Sequence, residues 1–174
     1  MFLKGELTFM YAIVAVDYDW AIGNQGKLLY RVKEDMRRFK MRTLHNIVVM
    51  GRKTFESLPG QKPLKDRINI VLTRQNITYD FDNVIVMHSV KEVLDYCKGK
   101  EAYCIGGEEI YRLFLPYCDR AYVTLIYDHA KEADAYFPDI HKDPYWGVLY
   151  DTETYEENGI YYRFKVYTQD ISRS

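Results

Sequence analysis

Ala12-Ile13-Val14-Ala15-Val16 is five apolar residues in a row, with no polar residue inside the run. Side chains of a strand alternate between the two faces of its sheet, so such a run suits a strand covered on both faces. Ile68-Asn69-Ile70-Val71-Leu72 reads almost the same way. Strands of this kind belong to parallel sheets, whose crossover helices supply the cover. Outward from these two runs, β-rich segments alternate with helical patterns. A strand over 11–16 leads to a helix carrying Asp35, and one over 46–50 leads to a helix over 53–58. A strand over 67–73 follows, then 83–87 with a helix over 90–98, and 101–105 with a helix over 108–115. Another strand spans 120–126. From 160 to 168 apolar and polar residues largely alternate behind an Asn158-Gly159 turn, the signature of an antiparallel hairpin ending the sheet. Pro59-Gly60-Gln61-Lys62-Pro63 reads as a loop. The expectation is α/β: a single domain over 10–170, its central β-sheet mostly parallel with flanking helices and a C-terminal antiparallel hairpin. Residues 1–9 form an N-terminal extension, poorly ordered over 3–8, and 171–174 form a tail. Met10, placed just before the first strand, is a candidate natural start.

At 174 residues the chain has the volume for one sizeable core, and 48% hydrophobic with 28% charged residues is ordinary for a globular protein. A net charge of -1 leaves no basic footprint for nucleic acid. No apolar run approaches a membrane span, and Lys4 and Glu6 interrupt the region where a signal peptide needs an apolar stretch. Cys97, Cys104 and Cys118 are an odd set without a CxxC spacing, better suited to free thiols in a reducing compartment than to disulfides. A cytoplasmic location is expected.

Val32-Lys33-Glu34-Asp35-Met36-Arg37-Arg38-Phe39-Lys40 reads as a helix with one acid on the wrong side. Val32, Met36, Phe39 and Thr43 follow the spacing of an apolar face, and Asp35 sits among them, with Glu34, Arg37, Arg38 and Lys40 on the solvated side. A carboxylate facing a core is costly unless paired or protonated, which is how enzymes hold an acid ready to move a proton. The other reading makes Asp35 a first-turn acid favoured by the helix dipole, or a cap.

Two strand ends resemble anion sites. In Ile105-Gly106-Gly107-Glu108-Glu109-Ile110-Tyr111 two glycines sit between a strand and a helix, where backbone N–H groups approach an anion closely. Met50-Gly51-Arg52-Lys53-Thr54 repeats the pattern with two cations, which oppose the helix dipole unless an anion binds between them. Arg74 follows Thr73 at a third strand end. Extra cations at phosphate-ready strand ends fit a dinucleotide with an additional phosphate, as NADP has and NAD lacks. A G-x-G-x-x-G fingerprint, a complete P-loop and a G-x-S-x-G elbow are absent, and His45, His88, His129 and His141 show no metal-ligand spacing. No metal is expected.

With these pieces placed, the chain resembles dihydrofolate reductase from about Tyr11 to Thr168. The resemblance rests on an ordered set of motifs. Ile13-Val14-Ala15-Val16-Asp17 with Ala21-Ile22-Gly23 comes first, then Glu34-Asp35-Met36-Arg37-Arg38-Phe39. Val49-Met50-Gly51-Arg52-Lys53-Thr54-Phe55-Glu56-Ser57 and Arg67-Ile68-Asn69-Ile70-Val71-Leu72-Thr73-Arg74 follow. The Ile105–Tyr111 segment quoted above, Phe114-Leu115-Pro116, Thr124 and Phe137-Pro138-Asp139 complete it.

The resemblance implies reduction of 7,8-dihydrofolate by NADPH, with hydride delivered to C6 and a proton to N5. It makes Asp35 the carboxylate that holds the pterin 2-amino group and N3, and Thr124 the hydroxyl that steadies it. Ile13, Val14, Phe39, Ser57, Leu58 and Ile105 would line the substrate cleft, and Arg67 would pair with the glutamate tail's α-carboxylate. For the cofactor it implies Ala15 and Ile22 beside the nicotinamide and Gly106, Gly107 and Tyr111 at the diphosphate and nicotinamide side, with Gly23, Ile105, Glu108 and Ile110 among the further cofactor contacts. Gly51, Arg52, Lys53, Thr54, Thr73 and Arg74 would serve the adenosine end and its 2′-phosphate. Diaminopyrimidine and other antifolate inhibitors are implied ligands, and a monomer is the implied state.

One segment departs from the family pattern. The family usually has Pro-Trp, two residues, then Pro; here Leu29-Tyr30, Arg31-Val32 and Lys33 stand there. Tyr30 keeps an aromatic wall and can donate from its hydroxyl to a water beside the substrate, but two fixed φ angles are lost. Two rivals stand beside this reading. A pyrimidine reductase on the same fold would keep the NADPH site, but Asp35, Thr124 and Arg67 favour folate. A non-catalytic pterin- or nucleotide-binding paralogue would keep NADPH without turnover. A protein-interaction module finds no exposed apolar helix or charged tail to support it.

Overall fold

The computed structural model describes residues 9–170. Its strands are β1 (Phe9–Val16), β2 (Ala21–Asn24), β3 (Lys27–Leu28), β4 (Ile47–Gly51), β5 (Ile68–Leu72) and β6 (Val84–Met87). They continue as β7 (Glu101–Gly106), β8 (Arg120–Ile126), β9 (Ala135–Tyr136), β10 (Trp146–Asp151), β11 (Tyr155–Glu157) and β12 (Ile160–Gln169). The helices are α1 (Lys33–Thr43), α2 (Arg52–Glu56), α3 (Val90–Cys97) and α4 (Glu108–Phe114). The main sheet runs β10-β12-β8-β1-β7-β4-β5-β6, with β11 beside β12, and a small second sheet runs β3-β2-β9. From β8 to β6 every pairing is parallel; β12, β10 and β11 are antiparallel.

Burial explains the order. In β4, Ile47 to Met50 are all buried, as a strand covered on both faces requires. β1 differs from the expectation drawn from its apolar run. Met10, Ala12, Val14 and Val16 are buried against one core, while Ile13 and Ala15 on the other face are only half-buried. That second face opens into a cleft. Connections from the neighbours β1 and β7 leave in opposite directions, one through α1 to β4 and the other through α4 to β8. At such a switch point a crevice forms beyond the carboxyl ends of the strands.

The antiparallel hairpin expected at the end of the sheet is present: the Asn158-Gly159 turn, both residues at positive φ, joins β11 to β12, which pairs β8 on its other side, and β10 extends the same edge. Two other expectations need correcting. Met10 lies inside β1 and is fully buried, not ahead of it. Met36 is 51% exposed, because the face of α1 turned to the sheet runs through Val32, Asp35, Phe39 and Thr43, leaving Met36 on its rim. The expectations for 1–8 and for the 171–174 tail lie outside the described residues. No helix among the described residues is long and apolar enough to cross a membrane.

Candidate active site

Asp35 sits in the first turn of α1 and reaches over the crevice beside β1. Thr124 of β8 donates its hydroxyl to Asp35 Oδ1 at 2.5 Å. Ala15 is Thr124's register partner on β1, and Ile13 lies on the same face two residues back. Tyr111 of α4 donates its hydroxyl to the Ile13 carbonyl at 2.8 Å, tying α4 to the strand at the crevice. Ile13, Ile105 and Leu58 pack around one apolar cluster, so the carboxylate stands against an apolar wall. Desolvation there pushes the Asp35 carboxyl above its ordinary value, and the Thr124 hydroxyl and Arg38 pull it back only partly. Burial also raises the Tyr111 hydroxyl, with smaller contributions from Cys104 and Asp35. Phe39 is half-buried one turn along α1, and Ser57 is exposed at the end of α2, its hydroxyl donating to the Thr54 carbonyl at 2.7 Å.

Arg67 guards the far end of α1. Its Nε donates to the Lys65 carbonyl at 2.9 Å and its Nη1 to Thr43 Oγ1 at 3.2 Å. Thr43 in turn donates to the Phe39 carbonyl at 2.8 Å, so the guanidinium is braced against the helix that carries Asp35. Although Arg67 is only 8% exposed, it lines an open cleft of about 400 Å³ with His45, Lys65 and Asn83. A braced, desolvated guanidinium facing a cleft suits a carboxylate partner.

The glycine-bearing ends of β7 and β4 lie on adjacent strands, and the β5 end, with Thr73 and Arg74, lies beside β4. A Cβ at Gly106, whose φ is +116°, would lie 3.3 Å from the Tyr111 ring, and one at Gly107 would lie 3.6 Å from Thr54 Oγ1. A Cβ at Gly51 would lie 3.3 Å from Ile110 Cγ1. Side chains are therefore missing where α2 and α4 close on the sheet, letting Tyr111, Thr54 and Ile110 pack close; Gly106 is buried, while Gly51 and Gly107 are half-buried. Lys53 is exposed on α2 and Ile22 half-buried on β2.

Several expected site residues are engaged elsewhere. Tyr30 donates to Asp128 Oδ2 at 3.1 Å and to Asp17 Oδ2 at 3.5 Å, so its hydroxyl is not brought to Asp35. Val14 faces the opposite core from Ile13, because alternate residues of a strand point to opposite faces. Arg52 is not left uncompensated: its Nη1 lies 2.8 Å from Glu56 Oε2 on the same helix. Arg74, 94% exposed, lies 3.6 Å from Glu109. Thr73 Oγ1 accepts from its own loop at Gln75 N, 3.1 Å. Glu108 accepts Tyr136 N at 2.6 Å and so ties α4 to β9. Ile110 is core, and Gly23 is a packing position, since a Cβ there would lie 3.1 Å from the Lys27 carbonyl. Sequence reasoning missed Asp17, which is fully buried and accepts the Asp19, Ala21 and Ala130 amides, pinning the loop after β1 to the one after β8. Its signal was an acid closing an apolar strand before a turn.

The family model described as dihydrofolate reductase matches residues 9–169. The chain belongs to the dihydrofolate reductase family. Dihydrofolate reductase from Bacillus subtilis (strain 168) is 37% identical over 162 residues, covering 92% of this chain and 94% of that protein. Dihydrofolate reductase from Mycobacterium leprae is 40% identical over 139 residues, 79% of this chain and 78% of that one. Among solved structures, dihydrofolate reductase from Enterococcus faecalis complexed with NADP(H) and RAB-propyl has a TM-score of 0.81 and 32% identity. The match covers 98% of this chain and 99% of that one. The architecture of the dihydrofolate reductase fold thus extends over the described residues, antiparallel C-terminal strands included.

Proposed function

We infer that this chain reduces 7,8-dihydrofolate to 5,6,7,8-tetrahydrofolate with NADPH. Family membership supports the activity, and the Asp35–Thr124 pair against the apolar wall of β1 and β7 is the observation that carries the chemistry. The residues fit the cofactor: Gly107 and Gly51, half-buried at the ends of β7 and β4, carry no side chain to bar a close approach, and Arg52, Lys53 and Arg74 stand at the β4 and β5 ends beyond. Bound NADPH supplies the hydride taken up at C6. Gly106, Gly107 and Thr54 would hold its diphosphate, and Arg52, Lys53 and Arg74 the 2′-phosphate.

Asp35 holds the pterin 2-amino group and N3, two donors that a carboxylate accepts together. The desolvation that raises its pKa lets it hold a proton to higher pH than a solvated carboxyl, and it organises the water that delivers a proton to N5. Thr124 fixes the carboxylate's orientation. Ile13, Ile105, Leu58 and Phe39 keep bulk water from the ring, and Arg67 takes the tail's α-carboxylate. Tyr30 supports the loop from outside this centre. Diaminopyrimidine antifolates share the donor pattern that Asp35 recognises and would compete for it. Three free buried thiols suit a reducing cytoplasm. The test is a steady-state assay following NADPH absorbance with dihydrofolate. NADPH binding without turnover would replace this reading with a non-catalytic one.

A further inference from the structure

A helix leaves its first backbone N–H groups without intrahelical partners, and a polar side chain at the preceding position normally takes one. The helix that carries Asp35 has no such cap: the residue before it is Val32, which makes no side-chain hydrogen bond to α1. The acceptor comes from 124 residues downstream. Glu157, the last residue of β11, accepts Lys33 N on Oε2 at 2.7 Å and Glu34 N on Oε1 at 3.3 Å. Both carboxylate oxygens are thus spent on the first two amides of α1, and Asp35 is the next residue. The hairpin that bears Glu157 is anchored by Tyr162 and Phe164 of β12, which pack with Val32 in one small core.

We propose that Glu157 is a positioning residue for Asp35, a long-range cap supplied by the β11–β12 hairpin that sets the entry of α1 and so the place of its carboxylate over the substrate cleft. The proposal rests on the reading of Asp35 given above. A proline at the first helical position has no N–H to satisfy and fits only after an extended residue. Val32 has φ -114° and ψ 122°, so Lys33→Pro fits the backbone and removes the better bonded of the two donors.

The experiment compares the parent with Glu157→Ala, Glu157→Gln, Lys33→Pro and the Glu157→Ala/Lys33→Pro double variant. Glu157→Ala should speed amide hydrogen exchange at Lys33 and Glu34 and lower kcat/KM for dihydrofolate by about tenfold, in line with loss of a helix cap. NADPH affinity should stay within about twofold, since no expected cofactor residue touches the hairpin. Glu157→Gln keeps an acceptor and should lose less. Lys33→Pro alone should remain near parent activity, and in the double variant it should recover at least half of the loss on a logarithmic scale. Unchanged exchange at Lys33 and Glu34 would overturn the cap, and faster exchange with unchanged kcat/KM would overturn the positioning role. A loss that Lys33→Pro does not relieve, or one shared equally by NADPH binding, would show general destabilisation and overturn it too. A parent without turnover would sink the functional reading instead, which amide exchange distinguishes because it needs no activity.

Discussion

Asp35→Asn is nearly isosteric and should act on activity and stability in opposite directions. The amide oxygen can still accept from the Thr124 hydroxyl, which now meets Asp35 Oδ1 at 2.5 Å, so the change removes charge and the ionisable proton with little geometry. Losing a general acid of this kind costs about 10²–10⁴ in turnover, or about 2.7–5.4 kcal/mol of barrier. Stability should move the other way. Desolvation holds the folded carboxyl above its ordinary value of 3.8, so at low pH both states are protonated and no penalty exists. As pH rises through the folded value, the native state gives up a proton it holds more tightly than the unfolded chain, and stability is lost. Asn carries no such loss. The variant should therefore match the parent well below pH 3.8 and become more stable above it, by about the 0.5–2 kcal/mol common for a single stabilising substitution. Stopped-flow turnover at neutral pH and thermal melts across a pH series measure the two effects. An Asn variant that turns over near the parent rate, or whose stability advantage does not open with rising pH, would refute the assignment.

Truncating Arg52 or Arg74 should weaken NADPH about tenfold and NADH little, with the NADPH preference shrinking as salt is raised, because both cations are partly solvated. Equal losses for the two cofactors, read by fluorescence titration, would mean that these residues only support the fold. Arg67→Ala should raise KM for dihydrofolate at least tenfold, the effect of losing a charged hydrogen bond worth about 1.5–3 kcal/mol. It should barely change binding of diaminopyrimidines that lack a glutamate tail, and parallel weakening of both would show damage to the brace on Thr43 and Lys65. Tyr30→Phe removes the bonds to Asp128 and Asp17 and should cost about 1–3 kcal/mol of stability, with turnover within about threefold of the parent. A large turnover loss at unchanged melting temperature would return Tyr30 to the reacting centre.

Local chemistry made much of this protein legible. An apolar run such as Ile47–Met50 has no way to be soluble except between two covers, and β4 sits at such a place. The misplaced acid in α1 and the glycines after β4 and β7 were visible for the same reason: each breaks a local rule at a cost that only a function or a tight approach explains. What the run of residues did not contain was the identity of distant partners. Whether Ile13 and Ala15 would be covered depended on where α1 and α4 came to rest, and the strand order left that face of β1 open. Tyr30's hydroxyl had a choice of acceptors, and the loop after β8 offered Asp128 first. Neither β10 nor the β2–β3–β9 sheet shows a strong local pattern, because their residues are mostly solvent-facing or too few for a period to register. The cap on α1 is the plainest case: Val32 announces an uncapped helix, but only chain folding across 124 residues brings Glu157 to it. Sequence carries propensity and pattern, which act over a few residues; the pairing of one polar group with another is decided by which surfaces the fold leaves side by side.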